Sequence, residues 1–140
     1  MRSKLSDMRQ AASTALRFRL PAVPLSVRQA RYYVRAYLGF APVVAEQVEL
    51  ALSEAVANAV AYAYPEGAGG EIEVVMSLRR DNVEVVVRDE GVGPVGHHQT
   101  SGRGFGLLLM RALSERLEIK GAPGKGTTVR MNFPIARPSA

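Results

Sequence analysis

Cysteine is absent from the 140 residues, so neither a disulfide nor a thiolate metal site contributes, and the fold must rest on packing alone. Tryptophan is absent too, and aromatic residues make up only 6%. A surface that stacks on nucleic-acid bases needs aromatics interleaved with a tight basic cluster. Here the basic residues are scattered, with a modest concentration in Arg2, Lys4, Arg9, Arg17 and Arg19, which argues against direct nucleic-acid binding. No apolar run approaches the roughly 18 to 20 residues a membrane span requires, and MRSKLSDMRQ lacks the apolar centre of a signal peptide. The expectation is a cytoplasmic protein without a membrane segment. What is present is ordinary for a soluble domain: 47% hydrophobic and 22% charged residues in a length that suits one core. The net charge of +5 fits an acidic protein partner or the phosphates of a nucleotide equally well.

Periodicity sets out the elements. Thr14 to Leu20 alternates as a half-buried strand, which Pro21 and Pro24 end. Ser26 reads as the N-cap of a helix bearing Val27, Ala30, Val34, Tyr37 and Leu38 at helical spacing, with Gly39 as its stop. Pro42 opens a second helix, Val43 to Tyr64, which Pro65 and Gly67 halt. Strands then follow over Glu71 to Arg79 and Val83 to Arg88, joined by a turn at Asp81-Asn82. A glycine-rich stretch leads to a helix from Phe105 to Leu117, and the chain closes with strands at Leu117 to Lys120 and Thr127 to Phe133. This order predicts an α+β, two-layer sandwich: a mixed, mostly antiparallel sheet with the helices on one face.

Four short motifs stand out. Glu54 and Asn58, four apart on the second helix, share one face with Ala51, Ala55 and Ala61. Small neighbours would admit a ligand, though a lone ExxxN pair also suits a solvent-facing surface. Asp89, Gly91 and Gly93 follow a strand of valines; an ionised aspartate there accepts hydrogen bonds and can read an exocyclic amine such as adenine's, but the same run can be a plain turn. Gly102, Gly104 and Gly106 lie at the start of a helix, where free N–H groups and the helix dipole favour phosphate. Thr127 opens the last strand and would place a hydroxyl beside Asp89 if the two strands are neighbours. A β-branched residue starting a strand is its alternative meaning.

Taken in order, LALSEAVANAVAYAYP, VVVRDEGVG, GRGFGLLLMRAL and GKGTTVRM resemble the ATP-binding domain shared by histidine kinases, gyrase-type ATPases, Hsp90 chaperones and MutL proteins. The front segment, RFRLPAVPLSVRQARYYVRAYL, is similar to the bacterial anti-sigma factor serine/threonine kinases. The resemblance implies a Bergerat-type fold over residues 14–134 between short tails, 1–13 and 135–140, with ATP and Mg²⁺ as ligands. It implies that Glu54 is the general base and that Asn58 holds the metal. Asp89 would read adenine beside Gly91, Gly93 and Thr127, and Gly102, Arg103, Gly104, Phe105 and Gly106 would lie over the phosphates. It further implies a homodimer that binds a sigma factor and phosphorylates a STAS-type antagonist. One departure is Tyr62, where many relatives carry histidine.

Two other functions fit the same motifs: a nucleotide-controlled binding module without phosphotransfer, and a detached histidine-kinase ATPase domain. The only histidines, His97 and His98, fall in the expected lid, Pro94 to Ser101, where a solvated loop explains them better than a metal site. Tyr32, Tyr33 and Tyr37 on the first helix serve as a contact surface or as core.

Overall fold

A computed structural model describes residues 15–65, 68–93 and 105–136. The elements are β1 (Leu16–Pro21), α1 (Leu25–Leu38), α2 (Pro42–Tyr62), β2 (Glu71–Leu78), β3 (Asn82–Asp89), α3 (Phe105–Leu113), β4 (Arg116–Gly121) and β5 (Thr127–Pro134). They form one five-stranded sheet in the order β1-β2-β3-β5-β4. Among the described residues all four pairings are antiparallel, so the expected two-layer sandwich with helices on one face is present and its mostly antiparallel sheet is antiparallel throughout them.

Alternation explains why the helices cover a single face. Ile72, Val74 and Met76 of β2, Val83, Val85 and Val87 of β3, and Val129, Met131 and Phe133 of β5 are buried. Their partners in sequence project to the opposite side, as the two-residue period of a strand requires. The helices complete the core with Ala30, Val34 and Leu38 from α1 and Val48, Leu52, Val56 and Ala59 from α2.

Several boundaries differ from expectation, and at three of them the local cause is plain. Ser26 does not cap α1, which begins one residue earlier after Pro24. Its buried hydroxyl instead donates to the Pro21 carbonyl at 2.5 Å, tying the helix to the end of β1. Pro21 itself belongs to β1, an edge strand, where a missing N–H is tolerated. The third helix stops at Leu113 rather than Leu117. There the Ser114 hydroxyl bonds back to the Met110 carbonyl at 2.6 Å, and the Glu115 N–H turns to Asn132 of β5 at 2.7 Å. Strand pairing thus captures Leu117 and Ile119, whose alternating apolar spacing fits a strand.

The tyrosines of α1 divide. Tyr33 stacks on Phe18 with ring centroids 4.2 Å apart, and the Tyr37 hydroxyl accepts the Leu78 N–H at 3.3 Å, so both serve the interior. Tyr32 is 70% exposed and is the one of the three left for an outside contact. A polar clasp holds α1 to α2: Arg31 Nε donates to Ser53 Oγ at 2.8 Å, and Arg35 grips both oxygens of Glu49. The Arg35 hydrogen bond, more than the opposing effect of burial, holds the Glu49 carboxyl below its ordinary range.

The open face of the sheet carries ion pairs across neighbouring strands. Glu73 on β2 meets Arg17 and Arg19 of β1 and Arg88 of β3 at 3.0 to 3.4 Å. Burial acts to raise its pKa, but the Arg17 hydrogen bond and the charges of the three arginines outweigh it, and the pKa is lowered. A carboxylate with a lowered folded pKa stabilises the fold above its unfolded pKa, and that contribution is lost as pH falls through the folded value. Because the arginines are more than half exposed, the net effect is about 1 kcal/mol or less. Urea denaturation should therefore show wild type more stable than Glu73→Gln at pH 7, with the difference closing below the ordinary carboxylate range.

Candidate functional site

At one end of the sheet the core columns of β3 and β5 terminate in polar residues. Asp89 and Thr127 are Cα partners across the two strands, and both are buried, at 6% and 3% exposure. The expected neighbourhood of these strands is therefore present. Asp89 Oδ1 accepts the N–H of Gly91 at 2.9 Å and of Thr127 at 3.2 Å. Such bonds fix the plane of the buried carboxylate. Thr127 Oγ1 is buried and has no hydrogen-bond partner among the described residues. An unsatisfied buried hydroxyl costs about 1 to 3 kcal/mol, which is reason to look for a ligand that completes it.

The turn beyond Asp89 packs on the end of α2. Val92 N–H donates to the Ala63 carbonyl at 2.7 Å, and Gly126 N–H to the Gly91 carbonyl at 2.9 Å. A methyl group on Gly91 would lie 1.9 Å from the Ala63 oxygen, so only glycine permits this approach. Gly93 follows with φ at +96°. Ala63 stands five residues beyond Asn58, about 7 to 8 Å along a helix axis. One helix thus carries the ExxxN pair and, at its end, supports the loop that follows Asp89.

Glu54 and Asn58 meet the start of α3. A methyl group on Gly106 would lie 2.9 Å from Glu54 Oε1 and within 3.6 to 3.8 Å of the Asn58 carboxamide. Gly106 is buried and sits in the first turn of α3, where unpaired N–H groups gather. Its missing side chain lets a helix N-terminus close on a carboxylate and an amide. Phe105 opens the same helix at 77% exposure, so the contact with the pair begins at Gly106 and not at the phenyl ring. Gly102, Arg103 and Gly104, and the expected lid with His97 and His98, lie outside the described residues. Tyr62 is the last residue of α2, one turn beyond Asn58.

The donor set has the chemistry of a nucleotide site. Carboxylate and carboxamide oxygens suit a hard ion such as Mg²⁺, which takes few protein ligands and completes its shell with water and phosphate. Asp89 as an acceptor, with an unpartnered hydroxyl beside it, suits a base bearing an amine. Sequence reasoning missed Tyr64, two residues past α2, whose hydroxyl bridges Glu71 and Glu90. An aromatic at a helix end reads as core, and the signal that could have marked it is Gly70, which leaves room for its ring.

Comparisons with known proteins place the chain in a family. The family model for the histidine kinase-like ATPase domain matches residues 20–133. Serine-protein kinase RsbW of Bacillus subtilis (strain 168) is 32% identical over 113 residues, covering 70% of this chain and 69% of that protein. The anti-sigma F factor of Bacillus velezensis is 25% identical over 105 residues, covering 67% and 72%. Among solved structures, the RsbU and RsbW domains of Rv1364c from Mycobacterium tuberculosis align with a TM-score of 0.71 at 28% identity. That match covers 89% of this chain but 33% of the longer protein.

Thr127→Val removes the unpartnered hydroxyl while keeping a β-branched side chain. In the absence of nucleotide the variant should be more stable by about 1 kcal/mol in urea denaturation. A loss of similar size would show that the hydroxyl is already satisfied.

Proposed function

The chain belongs to the RsbW-like anti-sigma factor kinase family within the histidine kinase-like ATPase superfamily, and from that premise we propose that it transfers the γ-phosphoryl group of ATP to a serine or threonine of a STAS-type antagonist and holds a sigma factor inactive. The observation that carries the reading is the approach of Gly106 to both Glu54 and Asn58. It sets a candidate base and a candidate metal ligand against a helix N-terminus, where phosphate is favoured.

In this reading Asp89 accepts a hydrogen bond from the adenine amine and Thr127 supplies the hydroxyl beside it. Gly91 and Gly93 let the backbone pass close to the base, and Gly102, Arg103, Gly104, Phe105 and Gly106 border the phosphates. Asn58 would hold Mg²⁺, which spreads the phosphate charge when bound. Glu54 takes the proton of the attacking hydroxyl as its oxygen bonds to the γ-phosphorus. The bond from that phosphorus to the β–γ bridging oxygen breaks, and ADP leaves with the electron pair. Phosphoprotein and ADP are the products.

The proposal also makes the protein a cytoplasmic homodimer whose partners are the sigma factor and the antagonist, without direct contact to nucleic acid or membrane. Among the described residues no helix is long and apolar enough to cross a membrane.

Incubation with ATP, Mg²⁺ and the cognate antagonist should yield acid-stable phosphoserine or phosphothreonine. Glu54→Gln should lower that transfer roughly 10² to 10⁴-fold, with ATP affinity little changed. Equal transfer by the variant would remove Glu54 from the chemistry. Binding without transfer by wild type would favour a nucleotide-controlled binding module, and an acid-labile product a histidine-type phosphotransferase.

A further inference from the structure

Tyr64 lies at the meeting point of three segments. Its hydroxyl donates to the Glu71 carbonyl at the start of β2 at 2.6 Å and accepts the Glu90 N–H at 2.9 Å. Its ring lies against Gly70, where a methyl group would come within 2.4 to 2.5 Å of three ring carbons. The adjacent residue, Ala63, accepts the Val92 N–H. Two consecutive residues at the end of α2 thus hold Glu90 and Val92, on either side of Gly91. Gly91 in turn donates to Asp89 Oδ1.

We propose that Tyr64 is a positioning residue for base selection: its hydroxyl fixes the backbone after Asp89, and so fixes the direction in which the Asp89 carboxylate faces the base. The inference rests on the nucleotide-binding reading above. The reasoning is geometric. Asp89 is covalently joined to Glu90, so the Glu90 amide plane sets where the Asp89 carbonyl and side chain start. Tyr64 anchors that plane to β2, and Ala63 anchors the far side of the turn. With the phenol hydroxyl removed, Glu90 N–H and the Glu71 carbonyl lose a shared partner, while the Val92 bond to Ala63 remains. The Asp89 carboxylate keeps its Gly91 and Thr127 bonds, but a turn anchored at fewer points lets the carboxylate shift with its backbone, and a shifted acceptor discriminates poorly between a base that offers an amine and one that offers a carbonyl, because selectivity of this kind depends on a polar group held in place.

The test is calorimetric titration of wild type and Tyr64→Phe with Mg²⁺ and either ATP or inosine triphosphate, which carries a carbonyl where adenine has its amine. Wild type should prefer ATP. In Tyr64→Phe, ATP should bind about tenfold more weakly with inosine triphosphate nearly unchanged, so that the preference narrows by about the same factor, the size expected for one lost hydrogen bond. Phosphotransfer at saturating ATP should keep its kcat while KM for ATP rises. Gly70→Ala gives an independent variant, since its methyl displaces the ring but leaves the hydroxyl in the chain; it should narrow the preference as well. A lower urea midpoint with the ATP preference intact in both variants would make Tyr64 purely structural and overturn the proposal. If wild type itself shows no preference for ATP, the nucleotide reading fails first, and the proposal falls with it.

Discussion

One carboxylate oxygen, Asp89 Oδ1, accepts two backbone N–H groups, from Gly91 in the turn that follows and from Thr127, 38 residues beyond Asp89 in sequence. Burying a charge is tolerable only when it is hydrogen-bonded, so the end of β3, the glycine turn and the start of β5 must take up one fixed arrangement. The β3–β5 register, Asp89 opposite Thr127, follows the alternation of valines that fills the core. A one-residue slip would turn Asp89 out to the open face and Val86 and Arg88 inward. The same hydrophobic patterning that builds the sheet therefore places the acceptor on the helix side.

The helix α2 links the two parts of the site. It packs on the sheet through Val48, Leu52, Val56 and Ala59, offers Glu54 and Asn58 to α3, and ends where Ala63 and Tyr64 grip the turn after Asp89. A displacement of α2 would move Glu54, Asn58 and the turn after Asp89 together. The polar clasp of Arg31 and Arg35 on Ser53 and Glu49 secures the side that faces α1, reaching to the residue before Glu54. Thr127 shows the opposite economy. Its hydroxyl is left without a partner among the described residues, a local cost of the kind that functional sites carry and core positions rarely do.

Much of this was legible in the residues. The period-two runs of β2, β3 and β5 gave the sheet and its buried face, and the proline and glycine punctuation bracketed α2. Asp89 and Thr127 were read as neighbours on a condition, adjacency of their strands, that only tertiary pairing could supply. What was not legible depended on long-range partners. Leu113 to Leu117 holds no glycine or proline stop and its two leucines stand four apart, as on one helix face, so nothing local announced that Asn132 would take the Glu115 N–H and end the helix. Ser26 has the chemistry of a cap, yet it lies inside the first turn of α1 and its hydroxyl donates to the Pro21 carbonyl. The contact of Gly106 with Glu54 joins residues 52 apart, and no spacing rule reaches that far.

We propose that Asp89 selects the ligand by accepting a hydrogen bond from it. Asp89→Asn tests this most directly, because an asparagine oxygen can still accept the Gly91 and Thr127 N–H groups and preserve the turn, while its amide nitrogen replaces an acceptor with a donor. Titration of the folded variant with ATP and Mg²⁺ should show affinity lower by about 100-fold, the cost of two opposed donors in a buried site. Affinity equal to that of wild type would contradict the account.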